Sequence, residues 1–302
     1  MRVAGIDCGT NSIRLLIADV AENGRLVDVA RRMEIVRLGE GVDRTGRLSD
    51  AALARTRTAL IGYAAEIAEL GIGRVRMCAT SASRDASNAA DFRTMVRGVL
   101  GVDPEVITGD EEARLSFTGA VTGLDAERPY LIVDIGGGST EFVTGSAGVE
   151  QAISMDIGCV RMTERHLHDD PPTAAQVTAA SEDITAAVDT ALAAVPGREA
   201  ATLVGLAGTV TTVAALALGL PAYDAGRIHH ARVSREQVAE VTDELLSMTV
   251  AERLALPVMH PGRADVIGAG ALILTTILER SGQDAVVASE HDILDGICLG
   301  LI

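Results

Sequence analysis

Ile6-Asp7-Cys8-Gly9-Thr10-Asn11-Ser12 and Val133-Asp134-Ile135-Gly136-Gly137-Gly138-Ser139 repeat one pattern at an offset of 127 residues. In each copy an apolar run carries an Asp near its end, a Gly-containing turn comes next, and a second strand pattern returns after the Ser. Each half of the chain therefore opens with a strand, a tight turn bearing an Asp, and a returning strand. A second correspondence lies further on. Ala79-Thr80-Ser81-Ala82-Ser83-Arg84 comes after a buried-strand pattern in the first half, and Gly208-Thr209-Val210-Thr211-Thr212 after one in the second. Strand and helix patterns alternate throughout, which marks an α/β protein. At about 150 residues per domain, 302 residues suit two domains. The charged, turn-like stretch from Gly123 to Pro129 sets the boundary. We read a first domain over 1–122 and a second over 123–291. The segment 292–302 has one apolar face and is expected to return to the first sheet.

Turns built from Gly, Ser and Thr expose successive backbone N–H groups and let a phosphate approach closely. Thr10, Asn11 and Ser12 in the first copy, and Gly137, Gly138 and Ser139 in the second, are read as phosphate-binding. Ser81, Gly208 and Thr209 join them from the second pair of turns. An Asp at a strand end can hold a metal ion or its water, so Asp7 and Asp134 are candidate metal ligands. Glu141, seven residues after Asp134, adds a carboxylate suited to a divalent ion on a terminal phosphate.

Composition removes other chemistries. The 26 basic residues against 42 acidic ones give a net charge of −16, which opposes binding to nucleic acid and anionic membranes. Three Phe, three Tyr and no Trp leave little for base stacking. No lysine is present, which excludes a P-loop and Schiff-base chemistry. Any bound anion must be held by Arg, backbone N–H, hydroxyls or a metal. Cys8, Cys78, Cys159 and Cys298 are far apart and read as buried free thiols. His166-x-His168 and His229-His230 lack a partner at metal-ligand spacing and read as surface or network residues. The uncharged run from Ala200 to Tyr223 is interrupted by Gly205, Gly208 and Pro221, so it is read as a buried strand, a turn and a buried helix rather than a membrane span. Asp7 interrupts the N-terminal apolar run where an export signal would be uncharged, and a cytoplasmic protein is expected.

With these stretches in view, the chain resembles the exopolyphosphatase / guanosine pentaphosphate phosphohydrolase (Ppx/GppA) family, of the actin, sugar kinase and heat-shock-70 superfamily. The resemblance covers nearly the whole chain. It is carried by 5–12, 79–85, 107–114, 134–141, 205–209 and 263–265, and is greatest to the short two-domain actinobacterial members. It implies two RNase-H-like α/β domains with an interdomain cleft. It also implies Mg²⁺ or Mn²⁺ as cofactor, inorganic polyphosphate or pppGpp as substrate, and a homodimer, for which the 173–195 helix offers exposed apolar residues. The family's catalytic Glu falls on Glu112, where it would deprotonate the attacking water. Its neighbour Glu111 is spaced from Thr108 as a capping box and so has a structural task. Family members carry an Arg at Arg84, which would grip the terminal phosphate, and Glu141 joins Glu112 and Arg84 as a catalytic residue. Arg263 is expected further along the anion, and Arg14 adds to a positive cleft. The leading expectation is an exopolyphosphatase. The alternatives are a pppGpp phosphohydrolase, a sugar or acetate kinase of the same superfamily, and a sensor that binds polyphosphate or alarmone without hydrolysis.

Overall fold

A computed structural model describes residues 1–22 and 24–302. The chain divides into two compact units, Met1–Gly119 with Ile293–Ile302, and Ala120–Asp292.

The first unit runs β1 (Arg2–Cys8), β2 (Ser12–Val20), β3 (Leu26–Ile35), α1 (Val42–Thr45), α2 (Asp50–Glu69), β4 (Val75–Ala79), α3 (Ser81–Asp85), α4 (Ala89–Leu100), β5 (Glu105–Val106) and α5 (Gly109–Val121). Its sheet has the order β3-β2-β1-β4-β5. β1, β2 and β3 form an antiparallel meander; β4 adds parallel to β1, and β5 parallel to β4. The second unit runs β6 (Tyr130–Ile135), β7 (Thr140–Gly145), β8 (Val149–Met155), α6 (Cys159–His166), α7 (Ala174–Ala194), β9 (Thr202–Leu206), α8 (Ala207–Ala217), α9 (Ala225–Ile228), β10 (Arg232–Ser234), α10 (Arg235–Ser247), α11 (Val250–Leu254), α12 (Ile267–Ser281) and β11 (Ala285–Ala288). Its sheet order is β10-β11-β9-β6-β7-β8. Taken from β8, this is the order of the first sheet with one antiparallel edge strand added. A three-strand meander extended by parallel strands beside its first strand is the RNase-H-like arrangement, and it occurs once in each unit.

The first strands β1 and β6 are central and covered on both faces, so they read as nearly unbroken apolar runs. Their pairing places the candidate carboxylates. Asp7 lies opposite Arg14 across β1 and β2, and Asp134 lies opposite Glu141 across β6 and β7. In both turns the Gly closes the loop onto the Ser carbonyl: Gly9 N–H donates to Ser12 at 2.9 Å and Gly136 N–H to Ser139 at 3.0 Å.

On one face of the first sheet, α2 presents Ala52, Thr56, Leu60, Tyr63 and Ile67 at helical spacing. Ser49 caps it by accepting from the Ala52 N–H, and the Tyr63 hydroxyl donates to the Ile13 carbonyl at 3.0 Å. On the other face lies α13 (Ile293–Leu299), where Leu294 and Cys298 pack with Val3, Leu16 and Ala18. Fully burying a side chain such as Leu294 contributes about 2 kcal/mol. Gly296 of this helix has no room for a Cβ, because the Leu115 carbonyl of α5 occupies that space. Arg31 of β3 donates to Asp295 at 2.8 Å and ties the same helix to the sheet edge. The middle of α5 is thus packed closely on α13, one turn beyond Glu112.

The run from Ala200 to Tyr223 forms β9 and α8, closed by Gly219 at φ 60°. Among the described residues no helix is long and apolar enough to cross a membrane. β8 and β10 are the two edge strands of the second sheet, and α12 begins at Ile267. Residues 261–266 turn first, the Ile267 N–H donating to the Arg263 carbonyl.

Candidate active site

In the first unit three segments converge through side-chain hydrogen bonds. The Thr10 hydroxyl, in the turn after β1, lies 2.8 Å from the Ser81 hydroxyl, at the start of α3, and both are buried. Arg84, on the same short helix, donates Nη1 to the Ile107 carbonyl at 3.1 Å and to Glu112 Oε2 at 3.2 Å. Glu112 is buried, 8% exposed, and sits in the first turn of α5. Arg84 and Glu112 thus form a part-buried ion pair at 3.2 Å.

Its neighbour points elsewhere. The Thr108 hydroxyl accepts from the Glu111 N–H at 3.2 Å, which is half of the expected capping box. The other half is replaced: the Glu111 carboxylate accepts from Arg76 Nη2 at 3.1 Å and is 45% exposed. Successive residues on a helix face about 100° apart, so one of these glutamates is turned inward and the other outward.

The turns orient backbone as well. The Thr10 carbonyl accepts from Gly39 N–H, and the Asn11 carbonyl from Val36 and Arg37 N–H. In a planar trans peptide the N–H points opposite to the C=O. The Asn11 and Ser12 N–H groups therefore point away from the 36–39 segment. In the second unit the Gly136 carbonyl accepts from Cys159 N–H, and the Gly137 carbonyl from Val160 and Arg161 N–H. The Gly138 carbonyl accepts from Arg161 Nε at 2.7 Å. Three successive N–H groups, of Gly137, Gly138 and Ser139, are thereby turned away from α6, which makes an anion nest. Gly158 permits the approach, since a Cβ there would lie 2.5 Å from the Gly137 carbonyl carbon.

The second pair of turns is as close-fitting. Ala207, at the junction of β9 and α8, has φ 67°, a strained value for a residue with a Cβ. Beside it Gly208 has no room for a side chain because the Arg263 guanidinium lies against it. Arg263 Nη1 reaches the Thr212 hydroxyl at 3.4 Å, and that hydroxyl donates to the Gly208 carbonyl at 2.6 Å. Thr209 is buried, and Gly270 of α12 leaves room for its hydroxyl.

The carboxylates divide between the units. Asp7 is buried, and its Oδ2 accepts from Arg14 Nε at 3.0 Å and Nη2 at 2.7 Å. Asp134 and Glu141 are buried cross-strand partners, at 7% and 1% exposure, and Glu141 Oε1 accepts from the Ser154 hydroxyl at 2.7 Å. Directly opposed Cβ atoms sit about 5 Å apart. Two buried carboxylates at that spacing suit a cation or a shared proton. They fit Mg²⁺, which commonly takes one or two carboxylates and completes its shell with water and substrate phosphate. Asp7 fits less well, because Arg14 already supplies its cation. Among the described residues no cluster of three or more His, Cys, Asp or Glu is arranged to hold a metal.

Sequence reading passed over Arg161, which orients the nest, and the contrast between Arg14 and Glu141. The second had a signal: the two positions are related by the same 127-residue offset as the repeat.

Two duplicated RNase-H-like units, each with a Gly/Ser/Thr turn at the end of its first strand, define a phosphate-handling α/β protein of this fold. The chain belongs to the Ppx/GppA phosphatase family, whose model matches residues 16–302. It is 53% identical over 313 residues to Exopolyphosphatase 2 of Mycobacterium tuberculosis, covering 99% of this chain and 98% of that protein. Among solved structures, an exopolyphosphatase-like protein superposes with a TM-score of 0.95 at 46% identity, covering 99% of this chain and 98% of the other. The Aquifex aeolicus member of the Ppx/GppA family superposes with a TM-score of 0.84 at 34% identity, covering 99% of this chain and 97% of that one.

Proposed function

We propose that this protein is an exopolyphosphatase that hydrolyses the terminal phosphate of inorganic polyphosphate. The observation that carries the proposal is the buried Glu112 held by Arg84 at the start of α5. In this reading Glu112 takes a proton from a water molecule, whose oxygen attacks the terminal phosphorus. The anhydride P–O bond breaks, inorganic phosphate forms, and the shortened chain leaves with the bonding electron pair. Arg84 offsets charge on the terminal phosphoryl oxygens. The nest of Gly137, Gly138 and Ser139, with Gly208, Thr209 and Arg263, holds phosphate oxygens. Thr10, Asn11, Ser12 and Ser81 do the same in the first unit. Asp134 and Glu141 would hold Mg²⁺ or Mn²⁺, which when bound neutralises phosphate charge. The net charge of −16 is compatible with a polyanionic substrate where such groups and a metal supply local positive potential.

A second substrate uses the same chemistry: the 5′-terminal phosphate of guanosine pentaphosphate, which the family's joint name suggests. Phosphate release is to be measured with polyphosphates of defined length, pppGpp and ATP, with Mg²⁺ and with excess chelator. Exopolyphosphatase action predicts turnover of polyphosphate exceeding that of ATP and loss of turnover in chelator. Release from pppGpp alone would reassign the substrate. Release from none, with tripolyphosphate still bound, would make the protein a sensor.

A further inference from the structure

We infer that Arg161 is a positioning residue that sets the phosphate nest of the second unit by gripping the Gly138 carbonyl. The inference rests on the phosphate-binding reading of that nest.

The two copies of the turn differ in how their last peptide is held. In the first, the Asn11 carbonyl accepts from two backbone N–H groups, of Val36 at 3.1 Å and Arg37 at 2.8 Å. In the second, the equivalent Gly138 carbonyl accepts from a side chain, Arg161 Nε at 2.7 Å. A side chain has taken over a task that backbone performs in the other copy. The backbone of α6 serves the two preceding carbonyls: Cys159 N–H donates to Gly136, and Val160 and Arg161 N–H donate to Gly137. Gly136, Gly137 and Gly138 carry no Cβ to restrict their torsions. Arg161 therefore restrains the peptide whose far side presents the Ser139 N–H.

Arg161 is built for this. Its side chain is 12% exposed, and its Nη2 lies 3.8 Å from Asp156 Oδ1, a carboxylate in the segment between β8 and α6. A charged donor to a carbonyl is stronger than a neutral one. Its positive charge also lies beside a nest meant for anions. The geometry separates the two contributions, since only the Nε bond fixes the Ser139 N–H.

The test uses the full-length protein with Arg161→Lys and Arg161→Ala, the latter with and without added guanidinium chloride. Two readouts are taken. The first is the ¹H–¹⁵N signal and hydrogen exchange of the Ser139 amide, which do not depend on turnover. The second is tripolyphosphate binding in the Glu112→Gln background, set beside KM and kcat for polyphosphate in the otherwise native enzyme. Arg161→Ala is expected to speed Ser139 exchange by about tenfold and to weaken tripolyphosphate binding by about tenfold. KM should rise by a similar factor with kcat changed by less than about threefold. Guanidinium at millimolar concentration should restore part of the affinity. Arg161→Lys, which keeps the charge but not the planar fork, should fall short of the native affinity. Unchanged Ser139 exchange and unchanged tripolyphosphate affinity in Arg161→Ala would overturn the assignment. So would equal loss in both variants with no rescue, since that outcome assigns the effect to folding. If exchange changes as expected while even the native protein binds no tripolyphosphate, the clamp stands and the phosphate-binding reading of the nest fails.

Discussion

Asp7 and Asp134 occupy the same place in two copies of one fold, yet they meet opposite neighbours. Across the first hairpin Asp7 faces Arg14, which bonds it twice; across the second Asp134 faces Glu141. The first hairpin pairs its acid with a base. The second sets two buried carboxylates side by side, an arrangement that favours uptake of a cation. The same strand–turn–strand plan thus carries an Asp–Arg ion pair in one copy and two opposed carboxylates in the other, the pair proposed above to hold the divalent ion. Among the positions at which the two hairpins differ, Arg14 and Glu141, related by 127 residues, decide which charge faces the Asp.

The largest expected effect sharpens this contrast on the functional side. Glu141→Gln keeps the Ser154 hydrogen bond but removes one of the two charges. Phosphate release at saturating polyphosphate is expected to fall by ~10², because metal neutralisation of transition-state charge is worth several kcal/mol. The Mg²⁺ concentration for half-maximal rate should rise as well. An unchanged Mg²⁺ response would break the proposed role of the pair.

Stability should respond in opposite directions in the two hairpins. Arg14→Met removes two hydrogen bonds to a buried carboxylate and is expected to cost about 3 kcal/mol, the low end for breaking a buried pair because the Arg14 side chain is 19% exposed. Glu141→Gln, measured without divalent metal, relieves like-charge opposition and should stabilise by up to about 1 kcal/mol. Denaturant unfolding in chelator checks both. The same sign for the two variants would remove the distinction.

The smallest effect concerns Cys8, which stands where the second copy has Ile135. Burial pushes the Cys8 thiol well above its ordinary range, Cys159 up to about 11, and Cys78 and Cys298 up to about 12. A raised pKa leaves the neutral thiol dominant at about pH 7.5, so all four should act as small apolar groups and resist a disulfide reagent until the protein unfolds. Rapid labelling of the native protein would show otherwise.

The repeat at Asp7 and Asp134 was legible because its strands are central, and a strand buried on both faces writes itself as an apolar run. β8 was not legible. Val149–Met155 is partly exposed and reads Val-Glu-Gln-Ala-Ile-Ser-Met, without clean alternation. It exists because β7 offers an edge, a tertiary cause that local pattern does not carry. Glu112 could be separated from Glu111 by its spacing from Thr108 and by family resemblance. Only the structure showed that the Glu111 carboxylate pairs with Arg76 rather than with the cap. Arg161 left no local signal, since its target is a carbonyl 23 residues away in sequence.

The central claim is that hydrolysis starts from Glu112. It is tested most directly by phosphate release from a defined polyphosphate, compared across the native protein, Glu112→Gln and Glu111→Gln. Glu112→Gln keeps shape and most hydrogen bonding but cannot take a proton. Its turnover should fall by ~10² or more, the scale of a lost general base, with polyphosphate binding retained. Glu111→Gln loses a half-exposed ion pair with Arg76, worth about 1 kcal/mol at most, and should keep turnover within about threefold. Loss of turnover in Glu111→Gln with Glu112→Gln still active, or full turnover in both, would contradict the account.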